Sequence, residues 1–251
     1  MPFNQKPQKF NAKINTVTVG TGDKAVTIGG NSTFPFYTFD APTENSPKIG
    51  VEITDMGLDD FAPGIKAYYE GCTTMAEIAQ KAAAMEEMPG ADFVCLRLIG
   101  ADPNGANKST EELIAIVKEV ADAIDCPLVV EGCKNVEKDA ELLPKVAEAL
   151  QGRNVIVMSE KEENYKAIGA AAGLAYNQIV GAESADDINL AKQLNVEKTV
   201  VLGYRTSTGM AGAGCTGRRF RRCRRFACTC RSRLRCCRSF CSSRRFRSRG
   251  S

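Results

Sequence analysis

The strongest constraint on the fold is a unit that recurs between residues 48 and 203, namely a short apolar run, a polar loop and a capped helix. Residues 92–108 contain its clearest copy. The apolar run at 93–99 has the length of a buried strand and is bounded by glycine and proline. A capping box, Ser109 with Glu112, then opens an amphipathic segment. Strand, loop and capped helix in this order predict half of a βαβ unit in a parallel sheet.

Seven segments have the composition expected of such strands. Their starts recur roughly every 20 to 40 residues, which is the spacing of βα units. Upstream of all of them, residues 16–19 and 25–28 alternate around a glycine-rich turn and predict a hairpin that plugs or flanks the floor of a barrel. The predicted strands are 36–39, 49–53, 93–98, 128–131, 155–158, 175–180 and 199–202.

Alternating strands and helices fit either a TIM (β/α)₈ barrel or an open doubly wound sheet. A dinucleotide-binding open sheet needs a glycine-rich turn after its first strand, and residues 20–22 lack the third glycine. The complete match at 212–217 is followed by arginines where the phosphate-binding helix would have to begin. No Walker loop is present either. These patterns alone leave both the TIM barrel and the open sheet possible.

The chain contains no histidine, which excludes a Ser-His-Asp triad, a zinc-hydrolase motif and a histidine general base. The candidates for function are polar residues at predicted strand ends, because the carboxyl ends of parallel strands converge on one face. A paired-carboxylate hydrolase, a Schiff-base aldolase using Lys134 and a simple capping role for each residue all remain open. The candidates are Asp55, Asp102, Asn104, Glu131, Ser159, Asn177 and Glu183.

Targeting signals are not evident in the sequence. Residues 1–40 lack a charged segment followed by an apolar one, and no run of about 18 apolar residues occurs. We therefore expect a soluble cytoplasmic protein. Four cysteines precede residue 215 and are expected to be small core residues, as is usual for cytosolic thiols; they are Cys72, Cys95, Cys126 and Cys133.

Several ordered motifs resemble the small, delta-type subunit of the corrinoid iron-sulfur protein, which belongs to the acetyl-CoA synthase/carbon monoxide dehydrogenase system of anaerobes. The resemblance covers residues 13–201, and it rests on several motifs in the same order. The motifs are GTGDKAVTIGG at 20–30, FPFY at 34–37, the segment 97–104, PLVVEG at 127–132 and DINLAKQLN at 187–195.

This resemblance implies an α/β TIM barrel that forms a heterodimer with a large subunit carrying the [4Fe–4S] cluster. Cobalamin would lie between the barrel loops and that partner, with its cobalt cycling between Co(I) and methyl-Co(III). The methyl group would come from methyltetrahydrofolate through a methyltransferase. It would pass to acetyl-CoA synthase/carbon monoxide dehydrogenase in the reductive acetyl-CoA (Wood-Ljungdahl) pathway of carbon fixation. The chain would be a methyl-transfer component and would contact neither nucleic acid nor membrane.

Individual corrinoid contacts cannot be carried over by motif, so they are predicted from position alone. We expect contacts from Asp55, Asp102, Asn104, Glu131, Ser159 and Asn177, and neither a catalytic residue nor a metal ligand on this chain. The D-x-H-x-x-G cobalamin signature is absent. Without histidine the chain offers no imidazole below the cobalt, which is compatible with an easily reduced Co(I) state. The alternative is a self-contained barrel enzyme, such as a lyase or a pterin-dependent methyltransferase.

Composition changes abruptly near the C-terminus. Residues 1–214 hold 19 Lys and Arg and all 30 acids, whereas residues 215–251 hold 14 Arg, seven Cys and no Lys, Asp or Glu. An RNA- or membrane-binding tail and a cysteine metal site are two interpretations. We favour out-of-frame translation, because arginine replaces lysine so completely. The chain then divides into an N-terminal extension and hairpin at 1–30, an incomplete barrel at 31–203 and a disordered tail at 204–251.

Overall fold

The computed structural model describes residues 14–32, 44–58, 61–84, 91–184, 187–202 and 207–209. The predicted strand 36–39 and the tail other than 207–209 lie outside them. Within them the strands are β1 Thr16–Val19, β2 Val26–Gly29, β3 Gly50–Thr54, β4 Phe93–Arg97, β5 Leu128–Glu131, β6 Ile156–Glu160, β7 Ile179–Ala182 and β8 Ser207–Gly209. The α-helices are α1 Pro63–Tyr68, α2 Met75–Ala84, α3 Thr110–Ala123, α4 Val136–Ala149, α5 Tyr165–Ile168 and α6 Ile188–Leu202.

Five parallel strands, β3 to β7, form a sheet in chain order, and β8 extends it at one edge. Neighbouring strands are in register, so that Cys95 lies beside Val129, Val129 beside Ile156 and Ile156 beside Ile179. The predicted α/β class with a parallel sheet is confirmed. The sheet does not close into a barrel within the described residues, but its order and its helical crossovers are compatible with a barrel-like fold.

Helices cover one face of the sheet, and the hairpin packs against the other. Side chains alternate along each strand, and one set packs with the helices into the main hydrophobic core. The opposite set forms a second, smaller apolar cluster with the hairpin. The first set includes Val94, Leu96, Val130, Val157 and Val180, and the second includes Cys95, Val129, Ile156, Met158 and Ile179. A one-sided helical layer is the arrangement that a barrel wall requires.

The predicted hairpin is present and packs at the amino end of the sheet. Strands β1 and β2 pair antiparallel, with Val19 beside Val26. Val19 is buried in the smaller apolar cluster, and the Gly20 amide donates to the carbonyl of Asn154 at 2.8 Å. Because Asn154 lies just before β6, the hairpin covers the floor of the sheet, away from its carboxyl ends.

Capping residues stand at the starts of both α2 and α3, and the pair at α3 is the one that the sequence predicts. Ser109 and Glu112 form a reciprocal capping box at α3, and Thr74 accepts from the Glu77 amide at 3.2 Å. No helix of the described residues combines the length and apolar character that crossing a membrane demands.

A proline at position 144 would ordinarily predict a break in the helix, but α4 runs unbroken from Val136 to Ala149. A proline inside a helix costs about 3 kcal/mol, since its nitrogen cannot donate and its ring crowds the preceding turn. Burying one large aliphatic side chain contributes about 1.5–3 kcal/mol, so several of them outweigh that cost. The buried apolar residues around the proline are Leu142, Leu143, Val146 and Ala147.

Two predicted strands are wrong, one in its start and the other in its type. Residues 169–175 form a π-helix, so β7 begins at Ile179 and not at residue 175. Residues 199–202 are the last turn of α6 and not a strand. Their β-branched side chains favour a strand only weakly, whereas extending an existing helix gains one hydrogen bond per residue.

Candidate functional site

Polar side chains line the carboxyl ends of β3 to β7 on the face that the helices leave uncovered. Arg97 and Glu131 end β4 and β5 and are paired in register. Strand alternation directs both away from the helical core, because their neighbours Leu96 and Val130 belong to that core. Hydrogen bonds and ion pairs extend this pair in both directions into a polar row, which consists of Glu52, Arg97, Glu131, Lys134, Glu183 and Ser159.

Arg97 is the centre of the first half of the polar row. Its Nη1 donates to Oε1 of Glu52 at 2.9 Å, and its Nε lies 3.3 Å from Oε2 of Glu131. The hydrogen bond to Glu52 raises the pKa of the guanidinium. Glu131 is only 13% exposed, so its carboxylate lies largely out of water beside the Arg97 guanidinium.

Lys134 joins Glu131 to Glu183 in the second half of the row. Its Nζ lies 3.3 Å from Oε1 of Glu131 and 3.4 Å from Oε2 of Glu183. Partial burial lowers the pKa of the ammonium, but the hydrogen bonds and charges of the two glutamates outweigh it and raise that pKa overall. Ser159 donates from its hydroxyl to Oε2 of Glu183 at 3.0 Å. The row therefore crosses the ends of five strands, β3 to β7, as one continuous network.

Five of the seven predicted candidates lie at this end of the sheet and face the row or the loop beside it. Glu131, Ser159 and Glu183 are members of the row. Ser159 lies inside β6. Asp102 and Asn104 form the loop after β4, where Oδ1 of Asp102 accepts from the Asn104 amide at 2.9 Å. Asn104 is exposed and Asp102 half-buried.

Asp55 also lies at a carboxyl strand end, but its side chain is fully buried. Its Oδ1 accepts from the Gly100 amide at 2.9 Å, and its Oδ2 lies 3.0 Å from Nζ of Lys108. Lys108 additionally donates to the Asp55 carbonyl at 2.6 Å. These contacts bind the loop after β4 to the end of β3. Asp55 therefore has a structural role and presents no surface to a ligand.

Asn177 lies at the opposite end of the sheet from the other predicted residues. It precedes β7 with a left-handed φ of +54°, because that strand begins later than its sequence suggests. The neighbouring Gln178 accepts from the Val155 amide at the start of β6, which fixes this segment at the amino end. A cavity of about 430 Å³ opens at the same end, with a lining that includes Gly20, Lys24, Asp125, Cys126 and Arg153. No predicted site residue lines it.

Three residues that hold this end of the sheet together were not among the predicted site residues, namely Arg97, Lys108 and Asp139. Arg97 had a usable signal, because Phe93, Cys95 and Arg97 share one strand face and Arg97 ends that strand. Asp139 had none, since an acid in the first turns of a helix is ordinarily an exposed partner of the helix dipole. Here it is 1% exposed and lies under the loop that carries Lys134.

Residues 16–231 match the protein family described as CO dehydrogenase/acetyl-CoA synthase delta subunit. The chain belongs to this family. The predicted resemblance is thereby confirmed, and the family match continues beyond residue 201, where the predicted resemblance ends. The polar row is thus a feature of a delta-subunit chain.

Individual delta subunits cover most of this chain but are much longer than it. The subunit delta of the acetyl-CoA decarbonylase/synthase complex from Archaeoglobus fulgidus is 32% identical over 202 residues, which is 77% of this chain and 44% of that protein. Subunit delta 1 from Methanosarcina thermophila is 33% identical over 177 residues, or 70% and 39%. The delta subunit from Methanothermobacter thermautotrophicus is 29% identical over 195 residues, or 77% and 49%. The chain spans less than half the length of these relatives.

Proposed function

We propose that this chain is part of a corrinoid-binding methyl carrier. The corrinoid would lie between the carboxyl ends of its sheet and a large partner subunit that holds a [4Fe–4S] cluster. The methyl group would come from methyltetrahydrofolate through a separate methyltransferase and leave to acetyl-CoA synthase. Membership of the delta-subunit family is the observation that carries this proposal.

The polar row and the loop after β4 fit the periphery of a corrinoid. A corrin ring carries amide side chains, which offer both N–H donors and carbonyl acceptors. Glu131 and Glu183 can accept from such amides, and the Lys134 ammonium can donate to them. Asp102 and Asn104 offer the same groups from the neighbouring loop. The chain has no histidine, so its contacts would be to the periphery of the ring and not through an imidazole to the metal.

When bound, the corrinoid supplies the cobalt that carries the methyl group. The chain itself would bind and orient the ring and exclude water from one side. Ser159 fixes one oxygen of Glu183, and the two glutamates fix Lys134. Because the pKa of Lys134 is raised, its ammonium stays protonated at neutral pH.

We also propose that the complete fold is a (β/α)₈ barrel in a cytoplasmic heterodimer. The one-sided helical layer and the hairpin at the amino end support the barrel, since its loop face is then left free for a partner. The out-of-frame origin of the tail is part of the same proposal: β8 still pairs with β7, but the arginine-rich residues 215–251 that follow offer no apolar strand. Sequencing the coding DNA across codons 195–251 tests it, and an intact frame would refute it.

The corrinoid proposal is tested by replacing Lys134 in the chain assembled with its large subunit. Lys134→Gln should lower cobalamin retention through gel filtration about tenfold, since a charge-assisted hydrogen bond is lost. Lys145→Gln is the matched control, because Lys145 is 44% exposed against 43% for Lys134 and also pairs with a glutamate. The control should retain cobalamin like the unmodified chain.

Three outcomes would contradict the proposal. Equal cobalamin retention by both lysine variants would show that the polar row does not contribute to corrinoid binding. Stoichiometric cobalamin binding by the chain alone would refute a pocket shared with the partner. Substrate turnover in the absence of cobalt would support the self-contained lyase or pterin-dependent methyltransferase.

A further inference from the structure

One buried carboxylate, Asp139, holds the loop that carries Lys134. Asp139 lies in the first turns of α4 and is 1% exposed. Its Oδ1 accepts from the Cys133 amide at 2.9 Å and from the Cys133 thiol at 3.3 Å. Both donors belong to the residue just before Lys134. Asp139 therefore fixes the chain at the point where the Lys134 side chain departs.

The backbone of Lys134 needs such a restraint. Its φ is +69°, in the left-handed region that long side chains rarely adopt. A conformation of this kind persists where the surrounding structure fixes it, and it is concentrated at functional sites. The Lys134 carbonyl is held as well, since it accepts from Nζ of Lys161 at 2.8 Å. With the loop fixed on both sides, the ammonium reaches Glu131 and Glu183 together.

An ordinary helix-capping role does not account for Asp139. The helix already has a cap, because Oδ1 of Asn135 accepts from the Lys138 amide at 3.1 Å. Acids that interact with a helix dipole are ordinarily exposed, whereas Asp139 is buried and its bonds go to the loop. The same contact requires glycine at position 132, because a β-carbon there would lie 2.3 Å from Oδ1 of Asp139.

We propose that Asp139 is a positioning residue for the polar row: it fixes loop 132–135 so that Lys134 bridges the glutamates of β5 and β7. The use of the row as a corrinoid site rests on the proposed function. The positioning itself is a property of this chain alone and is tested without cobalamin or partner.

The test measures two local properties in Asp139 variants of the full chain. They are amide hydrogen exchange across residues 132–135 and the acylation rate of the Lys134 amine, both read by peptide mapping. Asp139→Ala should accelerate each about tenfold, because one buried hydrogen bond is worth roughly 1.4 kcal/mol, a factor of ten. Asp139→Asn keeps an acceptor oxygen and should give a smaller increase. Glu137→Gln, an exposed acid in the same helical turn, should change neither.

The outcomes separate a positioning role from general stabilisation. Faster acylation of Lys134 with unchanged exchange in α3 and β4 supports the proposal. If Asp139→Ala unfolds the chain, the same comparison is made on Asp139→Asn. An acylation rate that rises in neither variant overturns the proposal. A failure of cobalamin retention in the assembled complex would instead bear on the proposed function.

Discussion

Gly132 leaves no room for a β-carbon beside Asp139. A β-carbon built on Gly132 would lie 2.3 Å from Oδ1 and 2.5 Å from Cγ of the aspartate. Gly132 cannot easily move away, because its amide donates to the carbonyl of Met158 at 2.8 Å. The close approach of α4 to the end of β5 therefore requires glycine at this position.

Gly132→Ala should lower the free energy of unfolding by about 1–3 kcal/mol, the usual cost of forcing extra volume into a packed site. Gly105→Ala is the control, because the nearest atom to its added carbon would be the Asp102 carbonyl oxygen at 3.6 Å. That variant should stay within about 0.5 kcal/mol of the unmodified chain. Urea unfolding of the three chains measures the difference, and equal midpoints would contradict the packing argument.

Local signals in the sequence predicted the parts of the fold that depend on few residues. The Ser109 capping box and the strand at 93–97 each need only their own neighbours. The carboxyl-end location of Glu131 and Ser159 followed from strand position in a parallel sheet. These features were predictable because their causes lie within one turn or one strand.

The remaining features depend on contacts between distant segments. Asp55 looked available as a site residue, yet Lys108 and Gly100 bury it from more than 40 positions away. Asn177 was placed at the wrong end of the sheet, because the π-helix before β7 delays that strand. Asp139 has no sequence signature, since its burial depends on how α4 lies against the loop after β5.

Asp55→Ala should act on stability and leave the polar row unchanged. The substitution leaves Lys108 without its buried partner and the Gly100 amide without its acceptor, at a cost of about 3 kcal/mol. Asp125→Ala is the control, because Asp125 is 85% exposed and its pair with Lys24 at 3.4 Å should contribute under about 1 kcal/mol. Thermal unfolding of both variants tests whether Asp55 has this stabilising role. A loss of cobalamin retention without a loss of stability would indicate instead that Asp55 contacts the corrinoid.

The Cys133 thiol should be unreactive in the folded chain. Burial raises the pKa of Cys133 to about 11, and the nearby charge of Asp139 adds to the rise. Since only the thiolate is nucleophilic or binds metals, alkylation by iodoacetamide at pH 8 should be about 100-fold slower than in urea. Asp139→Ala should accelerate it. Equal rates in folded and unfolded chains, measured by peptide mapping, would contradict a protected thiol beside the proposed corrinoid site.

Asp139→Asn should change the pH dependence of stability in a defined direction. Burial raises the pKa of Asp139, against the hydrogen bonds of Cys133 and Lys134 and the charge of Lys161, above the value of about 3.9 expected in the unfolded chain. Its contribution to stability is therefore fully present below about pH 4 and is lost as pH rises through the folded pKa. The unmodified chain should lose stability relative to Asp139→Asn over that interval.

The control for this pH dependence lies on the same helix and has the opposite sign. The hydrogen bond from Lys145 lowers the pKa of the exposed Glu141, so its stabilising contribution is present at neutral pH and is lost as pH falls through that lowered pKa. Urea unfolding of the unmodified chain, Asp139→Asn and Glu141→Gln from about pH 2 to 8 measures both trends. Relative to the unmodified chain, Asp139→Asn should gain stability with rising pH, whereas Glu141→Gln should lose a little because exposed pairs contribute weakly. A pH-independent difference for Asp139→Asn would mean that the buried carboxyl group does not titrate differently in the folded and unfolded chains.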